Sequence, residues 1–157
     1  MIPNTRSKSK NGASAYSNGI KRTDKDIINS DFWGDPNCDN HSLRIGFINI
    51  QTFPSLIGHY KNSSIRNLIH DYHLSILGLA EMNLYWPALT HEQQLSECSR
   101  SWFERVQSYT ACNKMNTIMK GQRGGTAIIA QGKICTSSYG NSADSLGRWT
   151  VMTFRGR

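Results

Sequence analysis

Two polar side chains follow two apolar segments of this sequence, at the point where each segment ends. Residues 43–48 lead to Asn49, and residues 74–80 lead to Glu81. In open α/β sheets, ligands bind beyond the carboxyl ends of parallel strands, so neighbouring strands would bring this amide and this carboxylate together. Mg²⁺ takes one or two protein carboxylates and completes its shell with water and phosphate oxygens. The pattern predicts Glu81 as a ligand of Mg²⁺ (or Mn²⁺), with Asn49 hydrogen-bonded to a phosphate oxygen or a metal-bound water.

The elements that would position these two side chains are predicted from hydrophobic periodicity. Residues 43–50 are apolar on both faces, which predicts a buried central strand, and the continuous apolar run 74–80 predicts a second one. Between them, apolar residues recur at helical spacing from 65 to 72. A strand, a helix and a strand predict two parallel strands joined by a right-handed crossover. The alternative, that Asn49 and Glu81 are only polar residues where strands leave the core, stays open on spacing alone.

The remainder of the chain continues an α/β pattern. A capping box at Thr90–Gln93 predicts a second helix from Thr90 to about Gln107. Gly124 and Gly125 form a tight turn before the apolar segment 126–130, which predicts another strand. We expect a polar loop over residues 137–147 and a last strand over residues 148–154.

The first forty residues differ in composition from the rest. Residues 1–40 are rich in Ser, Asn, Lys, Gly and Asp, and such a segment cannot bury enough apolar surface to offset the entropy of ordering. We expect a disordered basic leader over 1–40 and a folded region over 41–157. The whole chain has 18 Lys and Arg against 11 Asp and Glu, a net charge of +7 that favours nucleic acid as a partner. A basic tail that only improves solubility explains the same charge.

The sequence lacks the signals of export and of membrane insertion. No apolar run follows the basic N-terminal residues, and nowhere do about eighteen apolar residues run together. The four cysteines are widely spaced and form no CxxC pair, which favours reduced thiols. We predict an intracellular protein that is not secreted, with no membrane partner and with the nucleus as a candidate location. No sequence signal points to an oligomeric state.

Three segments in order resemble a known family. They are Ile48-Asn49-Ile50, the run from Ile76 to Asn83, and the run from Gly124 to Ile128, with a helix between the first two. Together they look like the N-terminal half of the endonuclease/exonuclease/phosphatase superfamily, and are most similar to the endonuclease-like domains that precede reverse transcriptases in non-LTR retroelements. The resemblance extends from about residue 43 to the last residue. It implies a truncated, partial four-layered α/β sandwich (DNase I-like), in which Asn49 corresponds to the family's first-strand Asn and Glu81 to its metal-binding Glu.

The resemblance also implies which parts of the family's site have no counterpart here. Complete members carry, after this point, a Tyr, an Asp-x-Asn motif and a terminal Asp-His pair that activates water. The family commonly has Gln before the metal-binding Glu and Thr or Ser after it, whereas Ala80 and Met82 flank Glu81. The implied function is a metal-dependent phosphodiester hydrolase of the endonuclease type, incomplete, which we expect to hydrolyse little or nothing by itself.

Basic residues near these segments are candidate contacts to a nucleic-acid backbone, because Arg neutralises phosphate. Arg123, beside Gly124, and Arg148 are the candidates, although ordinary solvated loops explain the same residues. Two other functions stay open. One is a nucleic-acid-binding module without catalysis, and the other is a degenerate retroelement remnant without selected function.

Overall fold

The computed structural model describes residues 42–54, 58–115 and 122–156. Within these ranges the chain forms a mixed α/β fold with a four-stranded mixed sheet and a small two-stranded sheet. The predicted α/β class is confirmed at this level. The predicted leader, residues 1–40, lies outside the described residues.

The elements alternate along the chain. The strands are β1 (Ile45–Asn49), β2 (Ile76–Ala80), β3 (Val106–Ala111), β4 (Thr126–Gln131), β5 (Ser138–Ala143) and β6 (Thr150–Phe154). The α-helices are α1 (Tyr60–Asp71) and α2 (Leu95–Arg100), and 3-10 helices span Trp86–Ala88, His91–Gln93 and Gly132–Ser137. None of the helices in the described ranges is long and apolar enough to cross a membrane.

The larger sheet has the strand order β1-β2-β4-β3. Strand β1 runs parallel to β2, with Asn49 opposite Ala80, which confirms the predicted parallel pair. Strand β4 is antiparallel to both β2 and β3, and its first residue, Thr126, lies opposite Ala80. The ends of β1 and β2 therefore meet the beginning of β4 at one end of the sheet.

Helix α1 connects the two parallel strands and packs against them. It begins after His59, whose Nδ1 accepts a hydrogen bond from the Lys61 amide at 3.2 Å, and it buries Ile65 and Ile69. Its end is closed by a bond from the Leu74 amide to the Ile69 carbonyl at 2.9 Å. This cap returns the chain directly into β2, because it satisfies a carbonyl that the helix leaves unpaired.

Both faces of the four-stranded sheet carry apolar residues, but they are covered unequally. On one face Leu77, Leu79 and Ile129 belong to a large buried cluster with residues of α1 and α2. On the other face Ile76 and Ala130 form a small cluster with Cys135, against which β6 packs. The helices thus cover one face across its width, and the small sheet covers the other face only near β3 and β4.

Strand β1 was predicted to be a central strand, and this prediction is wrong for the described residues. It is an edge strand, and Ile45 and Phe47 are 66% and 71% exposed on its outer face. The apolar pattern shows that burial of this face would be favourable. It does not show which part of the protein covers the face, because hydrophobic periodicity carries no information about the neighbouring layer.

Two other predicted elements differ from the structure. The helix expected from Thr90 to Gln107 is confined to a 3-10 turn and the six residues of α2, because Val106 pairs with Gln131 in the ladder of β3 and β4. The loop expected over 137–147 contains β5, which pairs with β6 in an antiparallel ribbon. In both places hydrogen bonds to a distant strand override the local pattern.

We predict that Leu79→Ala lowers the free energy of unfolding by about 2–5 kcal/mol, because Leu79 is 0% exposed in the larger core cluster. Leu43→Ala is the matched control, since Leu43 is 51% exposed ahead of β1 and its truncation is expected to cost roughly 1 kcal/mol or less. Urea unfolding of both variants measures the difference. Equal losses for the two leucines would contradict the burial of β2 against the helices.

Candidate functional site

Asn49 and Glu81 lie at the same end of the sheet. Asn49 is the last residue of β1 and lies opposite Ala80, the last residue of β2, and Glu81 follows Ala80 directly. The pairing continues past both strands, because the Ile50 amide donates to the Ala80 carbonyl at 3.1 Å. Both side chains are exposed. The structure therefore places the two residues predicted from the sequence at the same end of the sheet, one register position apart.

The backbone beyond the strands stays paired although it no longer has strand geometry. The Thr52 amide donates to the Glu81 carbonyl at 2.7 Å, and the Phe53 amide donates to the Met82 carbonyl at 2.9 Å. We call this end of the sheet the rim, and define it as residues 49–53, 80–83 and 122–126. The rim is a hydrogen-bonded structure and not a set of independent loops.

Four non-glycine residues of the rim adopt left-handed backbone conformations. Their φ angles are 48° at Gln51, 98° at Thr52, 55° at Glu81 and 54° at Asn83. Thr52 is the most unusual, because a β-branched residue is rarely found at positive φ. Such conformations cost on the order of 1–3 kcal/mol each and cluster at functional sites. This concentration of strain at the ends of β1 and β2 marks the rim as the candidate site.

Asn83 joins the three segments of the rim. Its side-chain Oδ1 accepts a hydrogen bond from the Gly124 backbone amide at 2.7 Å, and its backbone amide donates one to the Gly124 carbonyl at 2.6 Å. Its Nδ2 donates to Thr52 Oγ1 at 3.0 Å, and its carbonyl accepts from the Gln122 amide at 3.1 Å. Asn tolerates the left-handed conformation better than most residues. Asn83 can therefore adopt its positive φ angle and still form the two side-chain hydrogen bonds.

Lys61 stabilises the strained turn after β1 from the side of helix α1. Its ammonium donates to three successive carbonyl oxygens, those of Ile50, Gln51 and Thr52, at 3.1, 3.4 and 3.3 Å. A lysine ammonium has three donors, so this arrangement uses all of them. Three carbonyl oxygens of the turn, each with a partial negative charge, thus point at one cation. This attraction offsets part of the conformational strain of the turn.

The two predicted side chains can act differently on a phosphate. Asn49 Oδ1 accepts from the Gln51 amide at 3.1 Å, so the part of Asn49 available to a ligand is its Nδ2 amide, a donor. Glu81 presents an exposed carboxylate, an acceptor only. One carboxylate fits an Mg²⁺ ion that keeps most of its waters and is shared with a phosphate. No group of three or more His, Cys, Asp or Glu in the described ranges could enclose a metal.

Arg123 is exposed between two fixed neighbours. Before it, Gln122 is buried, and its Oε1 accepts from the Asn113 amide at 2.7 Å. After it, Gly124 is held by Asn83 as described above. The backbone of Arg123 is thus fixed at the rim, while its side chain reaches solvent.

Arg148 lies in the loop between β5 and β6 and is fixed by Asp144. The Asp144 carboxylate accepts bonds from Arg148 Nε at 2.6 Å and from the amides of Arg148 and Trp149. Thr126 Oγ1 donates to the Gly147 carbonyl at 3.5 Å, which joins this loop to the first residue of β4. Arg148 therefore lies beside the rim, although it is far from the other site residues in sequence.

Partial burial raises the pKa of the Asp144 carboxyl. Three effects lower it and outweigh burial: the hydrogen bond from the Arg148 side chain, the hydrogen bonds from the Arg148 and Trp149 amides, and the charge of Arg148. Together they hold the pKa of Asp144 below its usual value. Asp144 is therefore ionised at neutral pH, which is the form that can hold a guanidinium.

An apolar groove of about 410 Å³ extends from the rim along the outer face of β1 and β2. Its walls include Ile45, Phe47, Gly78, Ile128, Arg148 and Trp149. A second groove, of about 400 Å³, lies at the opposite end of β3 and is lined mainly by serines and other uncharged residues, with Arg100 as its charged member. Neither groove is lined by a carboxylate. The first groove differs from the second because it reaches the rim at Ala80 and Thr126, next to Glu81.

Thiol chemistry does not contribute to the rim. Cys98, Cys112 and Cys135 are free and buried, which confirms the reduced state predicted for these three. Burial raises the pKa of the Cys98 and Cys135 thiols, so both are protonated at neutral pH. A protonated, buried thiol is a poor nucleophile, and the reactive groups of the rim are therefore the amide, the carboxylate and the guanidinium groups.

No protein-family model matches the chain, and no curated protein is significantly similar to it.

The sequence analysis missed three residues that organise the site. Asn83 and Lys61 act through bonds to segments distant in sequence, and no local pattern signals them. Asp144 had a usable signal, because Asp at the first position and Gly at the fourth, Gly147, is typical of a type I turn. The Gly147 amide does donate to the Asp144 carbonyl, at 3.2 Å.

We predict that Asn83→Ala lowers the free energy of unfolding by roughly 2–4 kcal/mol, because it removes two side-chain bonds and places Ala at positive φ. Hydrogen exchange at the Gly124 amide should accelerate in the same variant. Asn67→Ala, at an exposed position of α1, is the control and should stay within about 0.5 kcal/mol of the wild type. Unchanged protection of Gly124 would contradict the role of Asn83.

We also predict that the stabilising effect of Asp144 depends on pH. A carboxyl group whose pKa is lowered by folding contributes stability above its unfolded pKa of about 4, and this contribution is lost as the pH falls through the lower folded value. The stability difference between wild type and Asp144→Asn should be constant from about pH 5 to 7 and shrink in more acidic solution. Urea unfolding at successive pH values tests this, and a difference that grows on acidification would refute it.

Proposed function

We propose that this protein binds the phosphodiester backbone of nucleic acid together with Mg²⁺ (or Mn²⁺) at the rim, as part of an endonuclease-type phosphodiester hydrolase. The family proposed is the endonuclease/exonuclease/phosphatase superfamily, within the subgroup of non-LTR retroelement domains. The observation that carries the proposal is the position of Asn49 and Glu81 at the same end of two parallel strands, with Asn49 opposite Ala80, the residue before Glu81. The cluster of left-handed residues at the same place supports it.

Residues of the rim and Arg148 beside it divide the recognition of a phosphate between them. Glu81 would hold the metal jointly with a phosphate oxygen, while Asn49 Nδ2 and the Arg148 guanidinium donate hydrogen bonds to the phosphate. A bound Mg²⁺ stabilises negative charge on a phosphate during hydrolysis. Hydrolysis also needs a group that deprotonates water, and neither Asp nor His occurs among the rim residues defined above. We therefore propose binding with little or no turnover.

The proposed family also assigns a role to the uncovered face of the sheet. In a four-layered α/β sandwich two sheets pack face to face, and the outer face of β1 and β2 would be the packing surface. Ile45 and Phe47 support this assignment, because they are exposed there while Leu77 and Leu79 are buried on the opposite face. Apolar surface of this kind marks an interaction site in soluble proteins.

A second candidate function is nucleic-acid binding without a metal. The observation that favours it is the composition of the site, where Glu81 is the one rim carboxylate and Arg123 and Arg148 are both exposed. Arginine contacts to phosphate require no cation and weaken as salt rises. In this reading Glu81 would oppose binding instead of supporting it.

We predict that Glu81→Gln weakens Mg²⁺ binding by at least about tenfold, because loss of even an outer-shell partner costs that much. NMR titration of the full chain with Mg²⁺ should show saturable shifts at residues 81–83 in the wild type. Binding of a labelled DNA duplex to the wild type should tighten when Mg²⁺ is added.

The matched control is Glu104→Gln, an equal change of charge at an exposed residue ahead of β3, which should bind Mg²⁺ like the wild type. Duplex binding that is indifferent to Mg²⁺ and tightens in Glu81→Gln would favour the metal-free module. A broad, noncooperative thermal transition in the wild type would favour the remnant without selected function.

A further inference from the structure

We propose that Asp144 is a positioning residue that fixes the Arg148 guanidinium for a phosphate of a bound nucleic-acid backbone. This inference rests on the proposed function and adds to it a residue and a contact. Asp144 is far from Glu81 in sequence and belongs to none of the segments that carry the family resemblance.

The contact uses one side of the guanidinium and leaves the other side available. Asp144 binds Arg148 through Nε, at 2.6 Å from Oδ2, while Oδ1 accepts the amides of Arg148 and Trp149. The Asp144 side chain is only 10% exposed, whereas that of Arg148 is 69% exposed. An arginine has five N–H donors, so the four donors on its terminal nitrogens remain for a ligand. Two of these N–H groups can donate parallel hydrogen bonds to two oxygens of a phosphate.

The loop that carries the pair is itself fixed in place. Gly147 has φ 72°, and a Cβ at this position would lie 2.6 Å from the carbonyl carbon of Cys112, so the loop packs directly on that backbone. The Lys114 amide donates to the Ser145 carbonyl at 2.8 Å. An arginine on a fixed loop, held at Nε, loses less rotamer freedom when it binds a phosphate than a free arginine would.

The position of the loop directs this arginine to the rim. The Gly147 carbonyl accepts a hydrogen bond from Thr126 Oγ1, and Thr126 lies opposite Ala80, the residue before Glu81. Trp149, beside Arg148, is 47% exposed and lines the same groove. A phosphate at Arg148 would thus lie near Glu81, and an unpaired base could stack on the indole.

The opposing explanation is that Asp144 is only a cap for its own loop. The two explanations predict opposite changes in the affinity for nucleic acid when Asp144 is replaced by Asn. Replacing a carboxylate by an amide raises the net charge by one, so general electrostatics predicts tighter binding to a polyanion. If Asp144 positions Arg148, the same substitution weakens binding, because the charged partner of Nε is lost. The amide oxygen still accepts the two backbone bonds, so the loop is retained.

The test measures binding of the full chain to a labelled DNA duplex across a range of salt concentrations. We expect Asp144→Asn and Arg148→Gln each to weaken binding roughly three- to tenfold, and the double variant to bind no worse than Arg148→Gln, because the two residues act as a unit. Arg148→Gln should also reduce the slope of log affinity against log salt by about 0.9, the value for one lost phosphate contact. Glu104→Gln, with the same change of charge as Asp144→Asn, should not weaken binding.

Two further measurements separate positioning from loss of structure. The Arg148 Nε–H NMR signal should shift in Asp144→Asn, while the Gly147 amide signal stays close to that of the wild type. Arg148→Lys keeps the charge but not the planar fork, and should weaken binding about as much as Asp144→Asn does. If Asp144→Asn disrupts the fold, Arg148→Lys decides the outcome alone, and wild-type affinity in that variant overturns the proposal.

The outcomes also distinguish this inference from the proposed function. If the wild type binds the duplex and Asp144→Asn binds as tightly or more tightly, the positioning role is wrong and the proposed function stands. If the wild type does not bind the duplex, nucleic-acid binding at the rim is wrong and the positioning role falls with it.

Discussion

The rim depends on hydrogen bonds that keep β1 and β2 paired after both have lost strand geometry. Bonds from the amides of Ile50, Thr52 and Phe53 hold the chain against residues 80–82 while it passes through left-handed conformations. These conformations are unfavourable by on the order of 1–3 kcal/mol each, so the surroundings must hold them. Without this pairing, the carboxylate of Glu81 and the amide of Asn49 would belong to separate loops.

Burial at the end of the strained turn supplies much of the required stabilisation. Phe53 follows Thr52 directly and is completely buried, with its ring centroid 5.7 Å from that of Trp86. Full burial of such a side chain contributes about 1.5–3 kcal/mol. Lys61 and Asn83 add polar bonds to the same segment from α1 and from the end of β2. Strain at the rim is thus offset by a core that lies immediately beneath it.

The charges around the rim suit binding better than turnover. A single carboxylate, an amide donor and two exposed arginines can neutralise and orient a phosphate. With the carboxylate assigned to the metal, neither the amide nor the arginines can accept a proton from water. The buried thiols of Cys98 and Cys135 do not alter this, since their raised pKa values keep them protonated. The arrangement therefore supports a proposal of phosphate recognition, with hydrolysis dependent on groups that the rim itself does not contain.

The sequence by itself determined the local elements, and tertiary structure decided how they meet. The local patterns predicted strands β1, β2, β4 and β6, helix α1 and the end of the sheet that Asn49 and Glu81 share, because strand and helix periodicities and strand ends are local. They did not predict strand β5 and its pairing with β6, the short length of helix α2 or the edge position of β1, because each depends on which distant backbone or layer is its neighbour. For the same reason the roles of Asn83 and Lys61 were not predictable, because their hydrogen bonds join segments far apart in the chain. The role of Asp144 was predictable in part, because its bonds lie within one turn whose residue types are visible in the sequence.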